Sequence, residues 1–197
     1  MLGLHPISIL VFVATVLATH AEDSTTNPTP TPTALPTPMR GSYGSVGFEV
    51  SVLQNTSYGV SSVSCGDVNG DGLVDIVVAI SNTGTVGWYQ NNGNEKFGEL
   101  QTLKSDRSMG FSDVIVADVN GDGALDVVAA ATYRSRLFLW LNSNGDGSTW
   151  QQIVVDKSAT GISSVAAADL NGDGHVDLVS FPFYWHSHML HDVFLLS

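Results

Sequence analysis

The chain has 197 residues, of which 43% are hydrophobic and 13% charged, a balance that supports a folded core and excludes global disorder. The formal charge is −12, from 19 acidic and 7 basic residues, so nucleic acid is not expected as a partner. A single cysteine, Cys65, excludes an intrachain disulfide and a multi-cysteine metal site.

Residues 1–21 predict a secretory signal peptide. Within them, residues 7–18 form an uncharged apolar run, which is too short for a bilayer span of about 20 residues. We expect cleavage after Ala21. The region before the apolar run lacks Lys and Arg, and an amphipathic or buried N-terminal strand is the alternative. No later run is long enough to span a membrane, so the prediction is a secreted, extracellular protein.

Residues 22–40 predict a Thr/Pro-rich linker. Five of the seven prolines lie between Pro28 and Pro38, and proline removes backbone donors and favours an extended chain. In a secreted chain this composition is typical of an O-glycosylated stalk, with a bare spacer as the alternative. Asn55 begins an N-glycosylation sequon, which matters only if the chain is secreted.

Residues 41–180 contain a repeat with a period of 51. The pattern D-x-N-G-D-G-x-x-D begins at Asp67, Asp118 and Asp169, which are evenly spaced at this period. We number the repeats 1 to 3 and call residues 67–75, 118–126 and 169–177 loops 1, 2 and 3. Short runs of small, β-branched or aromatic residues surround the loops and are typical of strands. No window shows a sustained helical period.

The loops have the composition of a site for a hard cation. Oxygen-bearing side chains occupy positions 1, 3, 5 and 9, glycines at positions 4 and 6 allow a tight fold, and Ca²⁺ takes six to eight oxygens. The predicted side-chain ligands are Asp67, Asn69, Asp71, Asp75, Asp118, Asn120, Asp122, Asp126, Asp169, Asn171, Asp173 and Asp177. At position 7 the backbone carbonyl is the expected ligand, from Leu73, Ala124 and His175. We favour Ca²⁺ over Mg²⁺.

The loops have two other interpretations. An EF-hand needs Glu at position 12 and flanking helices, whereas position 12 is Val78, Ala129 or Ser180 and the flanks are strand-like. Metal-free Asn-Gly or Asp-Gly hairpin turns are the second alternative. Such turns do not require the Asp at position 9, which is present in all three copies.

Four short strands per repeat predict an all-β fold, namely a partial β-propeller of about two to three four-stranded blades with calcium-binding loops. A β-solenoid is the main rival, but its repeats are usually shorter than the one found here. The loop pattern after a small-residue strand resembles the FG-GAP/VCBS repeat family, which includes integrin α-chain propellers and many secreted proteins. The resemblance covers residues 48–179. It implies a calcium-stabilised propeller in adhesion or ligand recognition, with ligands at positions 1, 3, 5 and 9 of each loop.

Residues 181–197 form an off-pattern tail. The third repeat is therefore expected to lack its last two strands, and about two and a half blades fall short of the four to eight of a propeller. This pattern is that of a fragment, a truncated gene model or a shortened splice product, which is expected to oligomerise, to aggregate or to require the missing blades from a longer product. Its unpaired strand edge and an apolar patch would promote association. The patch comprises Phe181, Phe183, Tyr184 and Trp185.

Several single residues suggest chemistry but have a simpler explanation. Cys65 is predicted to be a buried small hydrophobe rather than a reactive thiol. The tryptophans are predicted to lie in the blade core rather than to stack on sugars, and the segment 144–147 is predicted to be a turn. The tryptophans are Trp88, Trp140 and Trp150. Three histidines could chelate a metal, but they lie in the off-pattern tail, which argues against that role; they are His186, His188 and His191.

The sequence therefore predicts a secreted calcium-binding module that recognises an extracellular protein or glycan and is not an enzyme. A propeller-fold enzyme acting on polysaccharide is one alternative, but it would need a catalytic acid and base outside the loops. No such pair recurs with a nucleophile in the sequence. A non-functional truncated product is the other alternative.

Overall fold

A computed structural model describes residues 59–157 and 161–182, together with the backbone strands at 42–43, 46–47 and 194–196. The chain divides into two compact units, Met1–Thr56 and Ser57–Ser197. In the first unit, β1 (Ser42–Tyr43) pairs antiparallel with β2 (Val46–Gly47).

Four groups of predicted features lie outside the described residues. They are the signal peptide and linker at 1–21 and 22–40, the start of the family resemblance at residues 48–58, the sequon at Asn55, and the tail residues 183–193 with their three histidines.

Repeat 1 forms a four-stranded antiparallel sheet in which each strand pairs with the next along the chain. Its strands are β3 (Val60–Gly66), β4 (Asp75–Ile80), β5 (Thr85–Asn91) and β6 (Phe97–Ser105). A short 3₁₀-helix, Ser81–Thr83, links β4 to β5.

Repeat 2 has the same order and connections. Its strands are β7 (Phe111–Ala117), β8 (Asp126–Ala131), β9 (Arg136–Asn142) and β10 (Trp150–Asp156), with a 3₁₀-helix at Thr132–Arg134 between β8 and β9. Each sequence repeat thus corresponds to one sheet.

Repeat 3 has three strands, β11 (Ile162–Ala168), β12 (Asp177–Pro182) and β13 (Phe194–Leu196). The prediction that this repeat lacks both of its last strands is wrong, because β13 pairs antiparallel with β12. The off-pattern tail therefore supplies a third strand, although its sequence has no likeness to β5 or β9. Main-chain hydrogen bonds along an open strand edge can recruit such a segment whatever its side chains.

The first strands of the three sheets lie side by side, with β7 between β3 and β11. Each sheet therefore has one face toward the preceding repeat, which we call its back, and one face toward the following repeat, which we call its front. This all-β arrangement, two four-stranded antiparallel sheets followed by a three-stranded one, confirms the predicted fold class, a partial β-propeller.

The second strand of each complete sheet is buried on both faces, which explains its continuous apolar sequence. Along β8, Val127, Ala129 and Ala131 pack toward repeat 1, whereas Val128 and Ala130 pack toward repeat 3. Successive side chains of a strand point to opposite faces, so one strand contributes to both inter-repeat cores.

Each first strand contains a bulge at the same position. The pairing register skips Ser61, Ser112 and Ser163, which are equivalent residues of the three repeats. The extra residue allows Phe111 and Val114, three positions apart, to pack in the same core against repeat 1.

The core between repeats 1 and 2 contains most of the large aromatic side chains. Trp88 and Trp140 are buried, as predicted for blade core, and the rings of Phe138 and Trp140 stack at 5.6 Å between centroids. Trp150 is half-buried against the same core. Within the described residues, no helix has the length and apolar character needed to cross a membrane.

Candidate metal centre

Loop 1 is folded by the carboxylate of its first residue. Asp67 accepts the backbone N–H of Asp71 on Oδ1 at 3.1 Å and that of Gly72 on Oδ2 at 2.8 Å. Gly70 and Gly72 have φ values of +72° and +86°, which glycine adopts readily. The first Asp therefore lies inside the turn, with the following chain wrapped around its oxygens.

Asn69 and Asp71 complete this turn. Oδ1 of Asn69 lies 3.1 Å from the same Asp71 nitrogen, so one N–H brings the oxygens of Asp67 and Asn69 together. Nδ2 of Asn69 donates to Oδ2 of Asp71 at 2.8 Å, and the N–H of Leu73 donates to Oδ1 of Asp71 at 2.9 Å. The side-chain oxygens of positions 1, 3 and 5 are thus gathered around one turn.

Loops 2 and 3 repeat this hydrogen bonding. In each, the position 1 carboxylate accepts from the N–H groups of positions 5 and 6, and the position 5 carboxylate accepts from the N–H of position 7. The residues involved are Asp118, Asn120, Asp122, Gly123 and Ala124 in loop 2, and Asp169, Asn171, Asp173, Gly174 and His175 in loop 3.

The exposed carboxylates at position 5 are held in their ionised form. The pKa values of Asp71, Asp122 and Asp173 lie below the ordinary value because the N–H of position 7, and then the amide of position 3, donates to the carboxylate. These groups therefore remain anionic and available to a cation well below neutral pH.

Position 9 has a different environment. Asp75 is 0% exposed, and its two oxygens accept backbone N–H groups from Val68 at 2.9 Å and Asn91 at 2.8 Å. Asp126 bonds Val119 and Asn142 in the same way. These carboxylates tie the start of the loop to the end of the third strand, a structural role that the sequence did not predict.

Burial raises the pKa of both Asp75 and Asp126, although the backbone N–H groups oppose the increase. The carboxylates at position 5, and in loop 2 also position 1, add repulsion in the same direction. Asp177 is buried as well, and it accepts the N–H of Leu170 at 3.0 Å.

The fit to a hard cation is one of donor chemistry. Positions 1, 3 and 5 offer two carboxylates and one amide oxygen, with no sulfur and no imidazole, and each oxygen has a second lone pair. Among the described residues, no three Asp, Glu, His or Cys side chains meet closely enough to form a metal-binding cluster. The predicted third carboxylate, at position 9, is directed to the backbone instead.

Loop 1 is also part of the junction between repeats 1 and 2. Val68, at position 2, is fully buried in the core, and its carbonyl accepts Nδ2 of Asn142 at 2.7 Å. Oδ1 of Asn142 accepts the N–H of Gly147 at 3.0 Å. Asn91 and Asn142 occupy the same position in successive repeats, but Asn91 bonds Val74 of its own repeat, so the repeat pattern alone did not indicate this contact.

A second inter-repeat contact, also not predicted, centres on the half-buried Asp113 of β7. Its Oδ1 accepts the hydroxyl of Ser62 at 2.6 Å, and its Oδ2 accepts the hydroxyl of Ser164 at 2.7 Å and the N–H of Val165 at 3.0 Å. Ser62, Asp113 and Ser164 are equivalent residues, so one carboxylate joins all three first strands.

Two single-residue predictions have opposite outcomes. Cys65 is exposed, so its assignment as a buried hydrophobe is wrong. By its equivalence to Val116, Cys65 lies on the back face of repeat 1, and no described repeat packs against that face. Segment 144–147 is a turn as predicted, in which Asp146 accepts the N–H of Ser148 at 2.9 Å and its hydroxyl at 2.6 Å.

Comparison with known proteins bears on the repeat itself. The FG-GAP-like repeat family matches the chain twice, over residues 67–129 and 118–180. Each match runs from the start of one loop through the following loop and its next strand, and together they span more than half of the chain. A search of curated proteins found no match. The repeat identity, the three equivalent sheets and these two matches show that the chain belongs to the FG-GAP-like repeat family.

Proposed function

We propose that the chain is a secreted recognition module of the β-propeller type in which loops 1, 2 and 3 bind Ca²⁺. The observation that supports this most is the threefold recurrence of one turn. In each copy the N–H of position 5 donates to the carboxylate of position 1 and to the amide oxygen of position 3, and the carboxylate of position 5 accepts from the side-chain amide of position 3. A motif kept only as a hairpin turn would not need this set of anionic oxygens.

In this proposal the ligands are the side chains of positions 1, 3 and 5 and the backbone carbonyl of position 7. Asp75, Asp126 and Asp177 at position 9 contribute charge, and they position the loop through their backbone bonds. A bound Ca²⁺ would neutralise carboxylates that otherwise repel one another. The module recognises an extracellular protein or glycan and performs no catalysis.

Calcium titration by calorimetry tests the site assignment. The chain from Glu22 onward should bind one Ca²⁺ per loop, and Asp122→Ala should lose one of the three sites. Asp146→Ala is the matched control. Asp146 is also exposed and also accepts hydrogen bonds within a turn, but it lies outside the three loops, in a turn that lacks the downstream Asp of the loop pattern. Equal stoichiometry in Asp122→Ala and the parent would contradict the assignment.

Thermal unfolding provides a second measurement. A ligand that binds only the native state stabilises it by about 2.7 kcal/mol at a hundredfold excess over Kd. The melting temperature in calcium should therefore exceed that in EGTA by several degrees, and superimposable melts would exclude functional calcium binding. Glycan-array binding with and without calcium then tests whether the module recognises a glycan and whether that recognition requires calcium.

A further inference from the structure

The two edges of the sheets carry opposite charge. Loops 1, 2 and 3 lie at one edge, which we call the loop edge, and bring nine carboxylates to it. The 3₁₀-helices and the connections between repeats lie at the other, which we call the connector edge. Five of the six lysines and arginines in the described part of the chain lie at the connector edge, namely Lys104, Arg107, Arg134, Arg136 and Lys157.

Three of these charges form a row along the connector edge of repeat 2. Arg134 ends the 3₁₀-helix before β9, Arg136 is the first residue of β9, and Lys157 follows the last residue of β10. Leu137 and Asp156 are partners in the β9–β10 ladder, where paired strands lie about 4.8 Å apart. Arg136 and Lys157, which flank this pair, are therefore neighbours. The row includes one carboxylate, that of Asp156, and remains net positive.

The basic residues at the end of repeat 1 lie close to this row. Lys104 is near the end of β6, and the exposed Arg107 is in the connection 106–110 between repeats 1 and 2. Hydrogen bonds from Ser108 hold the pKa of Asp106 below its ordinary value, and the charges of Lys104 and Arg134 lower this pKa further. Lys104 and Arg134 therefore lie near one carboxylate, so the basic residues of repeats 1 and 2 meet here.

An aromatic ring is held beside these charges. The side chain of Tyr133 is 67% exposed, and its ring lies against Gly110, where a Cβ would collide with it. The N–H of Tyr133 donates to the carbonyl of Met109 at 3.1 Å, and Nε of Arg134 donates to the hydroxyl of Ser108 at 3.3 Å. The 3₁₀-helix is thus fixed on the connection 106–110, with the ring of Tyr133 and the exposed guanidinium of Arg134 presented to solvent.

The fold does not require an aromatic and a basic side chain at these two positions. Repeat 1 forms the same 3₁₀-helix with Asn82 and Thr83 in the equivalent places. Asn82 lies against Gly59 as Tyr133 lies against Gly110, so the packing is the same with a small neutral side chain. Tyr133 and Arg134 therefore distinguish repeat 2 at its surface without serving the repeat architecture.

We propose that the connector edge of repeat 2 binds an acidic glycan, whose sugar ring packs on Tyr133 and whose sulfate or carboxylate groups bond Arg107 and Arg134. This rests on the recognition function proposed above and names the class of its ligand. The planar guanidinium matches the oxygens of such groups. The exposed ring favours a glycan over an acidic peptide, because a sugar ring presents a flat C–H face to an aromatic side chain and carries anionic groups at its rim. The carboxylates of the loop edge repel the same polymer and so direct it to the connector edge.

Calorimetric titration with dextran sulfate, in saturating calcium and at low salt, tests the proposal on the chain from Glu22 onward. The parent should bind dextran sulfate, more weakly as the salt concentration rises, and should not bind unsulfated dextran. Arg134→Thr and Tyr133→Asn, which introduce the equivalent residues of repeat 1, should raise the dissociation constant by about tenfold and about fivefold respectively. Lys96→Thr is the matched control, because it removes the same charge from an exposed position at the loop edge and should bind like the parent.

Equal affinity of the parent, Arg134→Thr and Lys96→Thr would overturn the proposal, since that result is expected if calcium at the loop edge holds the polymer. Binding of polyglutamate as tight as that of dextran sulfate, and unaffected by Tyr133→Asn, would overturn it in favour of an acidic peptide. Arg107→Ser replaces any variant whose circular dichroism shows misfolding.

Calcium titration of the parent reports separately on the function proposed above. Calcium binding at the loops without dextran sulfate binding would refute the glycan inference alone. Dextran sulfate binding by a chain that takes up no calcium would refute the metal assignment alone, because the two sites lie at opposite edges of the sheets.

Discussion

Asn142→Ala should destabilise the fold far more than Asn91→Ala, although the two asparagines are equivalent residues. Asn142 is 1% exposed, and its amide bonds the carbonyl of Val68 at 2.7 Å and the N–H of Gly147 at 3.0 Å. Asn91 is half-buried, and the bonds of its amide, to Val74 and Gly93, stay within its own repeat.

The expected magnitudes follow from what each substitution leaves behind. Asn142→Ala removes the amide partner of the Val68 carbonyl and of the Gly147 N–H, together with a longer bond to the Leu125 carbonyl. Each of the first two losses costs about 1–3 kcal/mol, so the free energy of unfolding should fall by about 2–6 kcal/mol. Asn91→Ala should cost about 1 kcal/mol, because water can replace its amide. The backbone N–H groups that bond Asp75 and Asp126 remain in both variants.

Urea unfolding, followed by tryptophan fluorescence and circular dichroism, measures both variants against the parent in EGTA. The two probes must report one transition before free energies are compared. Equal losses in the two variants would refute the inference that Asn142 joins the repeats, because the substitutions differ only in that contact and its burial.

Three further outcomes are expected in EGTA. Asp113→Ala should lower the free energy of unfolding by about 2 kcal/mol or more, because charged hydrogen bonds to both neighbouring repeats are lost, and urea titration checks this. Gly147→Ala should destabilise more than Gly121→Ala by about 1–3 kcal/mol, since both have positive φ but only at Gly147 would a Cβ lie 2.6 Å from the ring of Trp88; equal melting temperatures would contradict this. Burial raises the pKa of Asp126, so this group favours folding most below the ordinary carboxyl pKa and progressively less as pH rises through the raised value. The stability of Asp126→Asn minus that of the parent should therefore increase with pH across this range, and a constant or falling difference would exclude that contribution.

The period of the sequence repeat was enough to predict the strands and their grouping into equivalent sheets. The continuous apolar runs of β4 and β8 correspond to strands that are buried on both faces. The loop turns were also predictable, since glycine at positions 4 and 6 and oxygen-bearing side chains at positions 1, 3 and 5 determine a local structure. Such features depend on residues that are near one another in the chain.

The features that were missed depend on contacts between repeats. Cys65 and Val116 are equivalent, but Cys65 is exposed and Val116 packs on the core, because a described repeat lies against the back of repeat 2 and none lies against the back of repeat 1. Strand β13 was missed for a related reason, since an open edge pairs through main-chain groups that carry no side-chain signal. The bulge at Ser61 likewise changes which side chains share a face without changing the sequence period.

Loop 1 belongs at once to the proposed metal site and to the junction between repeats. The N–H of Val68 donates to Asp75 within the loop, its carbonyl accepts from Asn142 of repeat 2, and its side chain is buried between the sheets. A cation bound by the neighbouring Asp67 and Asn69 would therefore favour the conformation in which Val68 packs between the sheets and bonds Asn142. If calcium favours this conformation of Val68, its binding is thermodynamically linked to docking, so calcium should increase the resistance of the junction to unfolding, and the docking of repeat 2 should increase the affinity of loop 1 for calcium.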